Sequence, residues 1–184
     1  MGRKAALVAF GLWLAAGMVA GGLLLLRHAP YRVPEVDDVH LRVLTSELAP
    51  GTFGVAHIMY RSCACSSRTL THLLERGAIP GVDELVLLVD DDGASDPDDQ
   101  RLVAAGFRVT AITPLTLKER FAIHAAPVLV VARPDHSVAY IGGYNRHKQE
   151  ARYADVSIIG DVVHATEAAP LPVFGCATTA ALER

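Results

Sequence analysis

The sequence predicts an α/β protein, a mixed β-sheet flanked by helices and preceded by one N-terminal transmembrane helix. Three observations carry that expectation. Ala5–Leu26 (AALVAFGLWLAAGMVAGGLLLL) is a long apolar run without a charge. From Gly54 onward, short apolar runs alternate with segments whose leucines have helical spacing. Near the end, two apolar runs flank a polar turn at 133–137, which reads as an antiparallel hairpin. Helix-linked strands followed by a hairpin make a mixed sheet.

The apolar run has 22 residues. As a helix it is roughly 33 Å long, enough for a hydrocarbon core of about 30 Å. It exceeds the apolar region of a cleaved signal peptide, and Leu23–Leu26 meets Arg27 with no small-residue cleavage site. An uncleaved anchor over residues 1–28 is expected. Arg3 and Lys4 on the short side favour a cytoplasmic N-terminus, with the remaining chain across the membrane. Residues 29–52, with Pro30, Pro34 and Pro50, read as a linker that carries a short helix near Val39–Glu47. Residues 53–184 form the expected domain and its C-terminal tail.

Within that domain Val55–Tyr60 is a strand and Ser66–Arg76 a helix, stopped by Gly77. Leu85–Asp90 is near-continuously apolar, as in a strand covered on both faces. Asp96–Ala105 is a helix, Phe107–Ile112 a strand and Leu115–His124 a short helix. Val128–Ala132 and Val138–Ile141 form the hairpin, Gly142-Gly143 follows, and Asp155–Thr166 is the last helix.

Composition narrows the function. The chain is 51% hydrophobic, with 20 acidic and 17 basic residues and a net charge of −3, which excludes a fully disordered chain. Setting aside Arg3, Lys4 and Arg27 leaves 14 basic against 20 acidic groups, near −6 for the remainder. That acidic balance argues against nucleic acid as a partner. Three cysteines are too few for a disulfide scaffold.

The chemistry concentrates in His57-Ile-Met-Tyr-Arg-Ser-Cys-Ala-Cys-Ser-Ser-Arg68. A strand ends, Cys63 and Cys65 follow, and a helix begins, with Ser62 the expected N-cap. Unpaired N–H groups and the helix dipole favour an anion there. A thiol so placed has a lowered pKa and becomes a better nucleophile and leaving group.

At this segment the chain resembles the thioredoxin-like superfamily, in which the active-site cysteines lie between a core strand and a helix. Ala125-Ala126-Pro127-Val128-Leu129-Val130-Val131 is similar to that superfamily's cis-proline segment. Tyr140-Ile141-Gly142-Gly143-Tyr144 is similar to its glycine bend after the last strand. The resemblance spans about Gly54–Thr166 and extends, through the anchor, to the membrane-bound bacterial TlpA/ResA-like and DsbE-like groups. It implies a cis Ala126–Pro127 bond, with Ala126 offering backbone hydrogen bonds to a substrate peptide. It further implies a single-pass protein of the bacterial inner membrane whose domain faces the periplasm, acting on protein thiols and disulfides with a membrane or periplasmic redox partner.

One departure stands out. The superfamily pattern is C-x-x-C and this chain has C-x-C, so Ser66 occupies the usual second-cysteine position if Cys63 is the nucleophile. A Cys63–Cys65 bond would close a small, easily reduced ring. Cys176, in Leu171-Pro-Val-Phe-Gly-Cys-Ala177, has three readings: a resolving partner, a buried small hydrophobe or a third metal ligand. Cys63, Cys65 and Cys176 are therefore the candidate catalytic residues, and Ala126 and Pro127 the candidate substrate-binding ones.

The leading expectation is a thiol–disulfide oxidoreductase with no cofactor. A copper(I) chaperone using Cys63 and Cys65 is the alternative, since thiolates suit that ion; a non-catalytic interaction domain is a third. His57 reads as a core histidine. The acidic stretch from Asp90 to Asp99 reads as a solvated loop, since it lacks the spacing of a calcium loop.

Overall fold

A computed structural model describes residues 2–26, 30–91, 97–148, 150 and 152–178. The apolar run forms one continuous helix, α1 (Arg3–Leu26). Its described apolar side chains, among them Leu7, Trp13 and Met18, are exposed at 65%, 70% and 72%. Counted over described side chains, which for α1 are those of residues 7–23, no helix is long and apolar enough to cross a membrane.

Helix α2 (Asp38–Thr45) starts where the Asp37 carboxylate accepts from the N–H groups of Val39 and His40, both at 3.0 Å. Although it lies in the expected linker, it is packed. Leu44 is 0% and Leu48 3% exposed, and both join the core. Burying each stabilises the fold by about 1.5–3 kcal/mol.

The sheet is built from β1 (Phe53–Tyr60), β2 (Val82–Val89), β3 (Arg108–Ile112), β5 (Val128–Ala132) and β6 (Val138–Gly142). Its order is β3-β2-β1-β5-β6. The first three strands are parallel, β1 pairs antiparallel with β5, and β5 with β6. Parallel neighbours need crossovers, supplied by α3 (Ala64–Arg76) and α4 (Pro97–Ala104). Helix α5 (Pro114–Phe121) returns the chain to the central antiparallel pair through β4 (Ala125–Ala126). Thr113 caps α5 with Pro114 in the first turn, and Ala122 ends it in a left-handed conformation. Helix α6 (Asp155–Val163) completes the layers, and β7 (Cys176–Ala177) pairs with β4 alone.

Strand alternation divides the core in two. Ala56, Ile58, Leu85, Leu87 and Val130 face α2 and α5. Val55, Met59, Val86, Leu88 and Val131 face α3, α4 and α6. Every residue of β5 is buried, as expected for a strand covered on both faces. This five-stranded, three-layered arrangement is a thioredoxin-like mixed α/β fold.

The expected elements are present with ends displaced by a few residues. Helix α6 stops at Val163 rather than Thr166, and α5 at Phe121 rather than His124. Ser62 does not cap α3: Cys63 occupies the N-cap and no side chain bonds there. Of the acidic stretch, residues 92–96 lie outside the described residues. Asp90 and Asp99 pair with Arg61, the Asp90 contact at 3.1 Å.

Candidate active site

Cys63 is placed by backbone geometry before any side chain acts. Its N–H donates to the Tyr60 carbonyl at 3.0 Å, and its carbonyl accepts from the Ser67 N–H at 2.9 Å. The first bond turns the chain out of β1; the second opens α3. The Cys63 side chain then lies at the N-terminus of α3, 1% exposed, with Sγ 3.7 Å from the Ala126 carbonyl oxygen. The Ala126–Pro127 bond is cis, as expected.

The structure resolves which cysteines pair. Cys63 is disulfide-bonded to Cys176, with Cα atoms 5.8 Å apart and a sequence separation of 113. Cys65, in the first turn of α3, is free and partly exposed. Ser66 is fully buried, and its hydroxyl accepts from the Tyr60 N–H at 3.0 Å. That hydroxyl closes the strand–helix junction at the position that the second cysteine of a C-x-x-C pattern starting at Cys63 would hold.

The partner of Cys63 arrives on a strap, residues 171–178. The Gly143 N–H donates to the Leu171 carbonyl at 2.9 Å, and the Leu171 N–H to the Tyr140 hydroxyl at 3.2 Å. Burial pushes the Tyr140 phenol up to about 12, so it stays protonated and also donates to the Gly143 carbonyl at 2.7 Å. Val173 is 0% exposed, and its carbonyl accepts from the Tyr31 N–H at 2.8 Å. The strap then pairs antiparallel with β4, Ala126 opposite Cys176 and Ala125 opposite Ala177. The Thr178 N–H donates to the His124 carbonyl at 2.9 Å. Two glycines permit the contact. A Cβ on Gly175 would lie 1.8 Å from the Ala126 carbonyl oxygen, and one on Gly143 2.0 Å from that of Pro172.

Beside the strap, Cys65 opens onto a cleft of about 310 Å³ lined also by Arg68, Thr69, Pro127, Tyr153 and Phe174. Tyr144 joins this cleft to the interior. There His57, fully buried, contacts the Tyr144 hydroxyl through Nδ1 at 2.7 Å and the Glu84 carboxylate through Nε2 at 2.8 Å. A carboxylate only accepts, so Nε2 carries the proton and Nδ1 accepts from Tyr144. Burial depresses the His57 pKa against the pull of Glu84, so the ring is neutral. Burial raises Tyr144 well above the ordinary phenol range. Burial also pushes Glu84 upward, but bonds from His57, Arg76 and the Ile79 N–H outweigh it and bring the carboxyl to about 2. Arg76 bridges Glu84 and Asp155, and His72 meets Asp155 at 2.9 Å.

The expected core histidine is thus in place, and a larger buried network surrounds it that spacing alone did not reveal. Glu84, an acid directly before the apolar run Leu85–Val89 in β2, is its one legible signal. Ala126, Pro127, Cys63 and Cys176 come together at one point; Cys65 stands beside them on the cleft. Among the described residues no group of three or more His, Cys, Asp or Glu side chains is arranged to hold a metal ion.

No protein-family model and no curated protein matches the sequence. Solved structures do match. An uncharacterized conserved protein from Geobacillus kaustophilus superposes with a TM-score of 0.50 at 10% identity, covering 83% of this chain and 92% of that one. A hypothetical protein from Sinorhizobium meliloti 1021 gives 0.52 at 11% identity, covering 73% and 84%. A secreted Mycobacterium tuberculosis disulfide oxidoreductase, described as homologous to E. coli DsbE, gives 0.46 at 14% identity, covering 70% and 99%. At these identities what is shared is the fold.

Proposed function

We propose that the protein is a membrane-anchored thiol–disulfide oxidoreductase acting on protein thiols and disulfides, with Cys63 as the reacting sulfur and Cys176 as its intramolecular partner. The observation that carries this reading is the meeting of a helix N-terminal cysteine, a second cysteine and the carbonyl of the residue before a cis proline, Ala126, at one point. Ala126 and Pro127 form the wall against which a substrate would lie.

In the reducing direction, the Cys63 thiolate attacks a substrate disulfide, forms a mixed disulfide and expels one substrate thiolate. The Cys176 thiolate then attacks Cys63 Sγ, forms the observed bond and expels the second. Two electrons pass to the substrate, and the reverse sequence oxidises a dithiol. Whenever Cys63 is the leaving group, the orphan N–H groups of α3 stabilise its charge. Cys65 adds a free thiol on the adjoining cleft, outside the Cys63–Cys176 exchange cycle.

The anchor completes the reading as a single-pass protein of the bacterial inner membrane, of the TlpA/ResA-like type, with its domain on the periplasmic side. Support comes from the uncharged 22-residue run, its continuous helix and the exposure of its described apolar side chains. Arg3 and Lys4 set the direction.

The test is exchange between the full chain in detergent and a disulfide-bonded protein substrate, with dithiothreitol as electron source. Activity lost in Cys63→Ser supports the reading. Activity fully retained in that variant overturns it.

A further inference from the structure

The strap lies directly over the candidate site. An extended segment adds a strand to the Ala125–Ala126 edge and puts its cysteine onto Cys63, opposite the residue that precedes cis Pro127. Strand addition of this kind obtains affinity from main-chain bonds and specificity from alternate side chains. Cys63 is 1% exposed with the strap in place, so nothing reaches its sulfur until 174–178 lifts. The two halves of the strap are held differently. Residues 171–173 carry the Gly143, Tyr140 and Tyr31 bonds and the buried Val173. Residues 174–178 carry the disulfide, the two-residue ladder and one bond to His124.

We infer that residues 174–178 are a tethered pseudosubstrate, and that the β4 edge beneath them receives an extended partner peptide with glycine immediately before its cysteine. This rests on the oxidoreductase reading. The glycine requirement follows from the close approach at Gly175. Any side chain there meets the Ala126 carbonyl, a backbone atom that cannot turn aside. Reduction of Cys63–Cys176 removes the covalent hold, 174–178 lifts from β4 on the fixed hinge at Val173, and the edge is free for the partner. The Cys63 thiolate then attacks the partner's disulfide sulfur, a new Cys63–partner bond forms, and the displaced sulfur leaves as a thiolate.

The first test uses the unmodified full chain in detergent. Amide hydrogen exchange is compared between the oxidised protein and the protein reduced with dithiothreitol. Amides of 174–178 should exchange at least about tenfold faster on reduction, while those of Leu171, Gly143 and Tyr31 keep their protection. Unchanged protection of 174–178 overturns the inference.

The second test supplies the strand in trans. The double variant Gly175→Ala/Cys176→Ser removes both the close approach and the bond, and circular dichroism checks its fold. It is mixed with the disulfide-linked dimer of Leu-Pro-Val-Phe-Gly-Cys-Ala-Thr or of its glycine-to-alanine analogue, and Cys63 adducts are followed by mass. The glycine peptide should react about tenfold faster than the alanine peptide. Equal rates overturn the inference. Hydroxyethyl disulfide serves as the reference. If Cys63 reacts with it but does not distinguish the peptides, only the pseudosubstrate assignment fails. If Cys63 reacts with none of them, the oxidoreductase reading fails as well.

Discussion

Cys63 is chemically set apart from Cys65 by two residues of chain. One is the N-cap of α3, where the backbone leaves N–H groups unpaired; the other sits inside the first turn, free. Cys63→Ser is therefore expected to abolish exchange, Cys65→Ser to keep most of it, and Cys176→Ser to stall at a mixed disulfide. Mass spectrometry of acid-quenched reactions distinguishes the three. A second residue-scale prediction concerns Glu84. Its carboxyl is held near 2 against an ordinary 4.5, so its contribution to stability is complete above the ordinary value and is lost as pH falls through the folded one. His57, depressed from 6.5 and buried neutral, adds a penalty of the same sign, because the unfolded chain takes up its proton first as pH drops. The urea midpoint of the oxidised protein should fall below about pH 6.5 and continue falling toward about pH 2. Glu84→Gln should lower stability by about 3 kcal/mol at neutral pH, because Arg76 and its neighbours lose a buried counter-charge, and should flatten the acid limb of that curve.

At the scale of elements, the strap is a strand docked by two glycines. Gly143→Ala would put a Cβ 2.0 Å from the Pro172 carbonyl oxygen and 3.2 Å from the Val173 Cα. Neither is the end of a flexible side chain, so the backbone must shift, at a cost of about 2 kcal/mol. A drop in the denaturant midpoint with an unchanged slope is the expected result. Most elements were legible from sequence because their signals are local. Leucine spacing marked α3, the apolar run marked β2, and the turn at 133–137 marked the β5–β6 hairpin. β4 and β7 were not legible. Each has two residues, too short for any periodicity, and each exists only through the other. The packing of α2 was equally hidden, since proline and charge around it read as a linker while Leu44 and Leu48 find their partners on a distant sheet face.

For the whole molecule, an acidic α/β domain is joined to an apolar helix whose described side chains are exposed. The full chain is expected in the membrane fraction after an alkaline carbonate wash. Replacing Leu12 and Val19 with arginine should cost insertion about 2.5–3.5 kcal/mol each and release the chain. Labelling of Cys65 by an impermeant maleimide in intact cells reports the side on which the domain lies.

By itself the sequence determined the order of helices and strands, the strand–helix junction that carries Cys63 and the apolar run before them, while the cis proline segment was implied by the family resemblance. The order, the junction and the run are set by spacing and turn chemistry within a few residues. Only the tertiary structure decided that Cys63 bonds to Cys176 and leaves Cys65 free. Pairing across 113 residues of chain depends on which edge the strap can reach. It reaches β4 because Gly143 and Gly175 carry no side chain and Val173 has a pocket to fill, conditions that exist only once the sheet has formed.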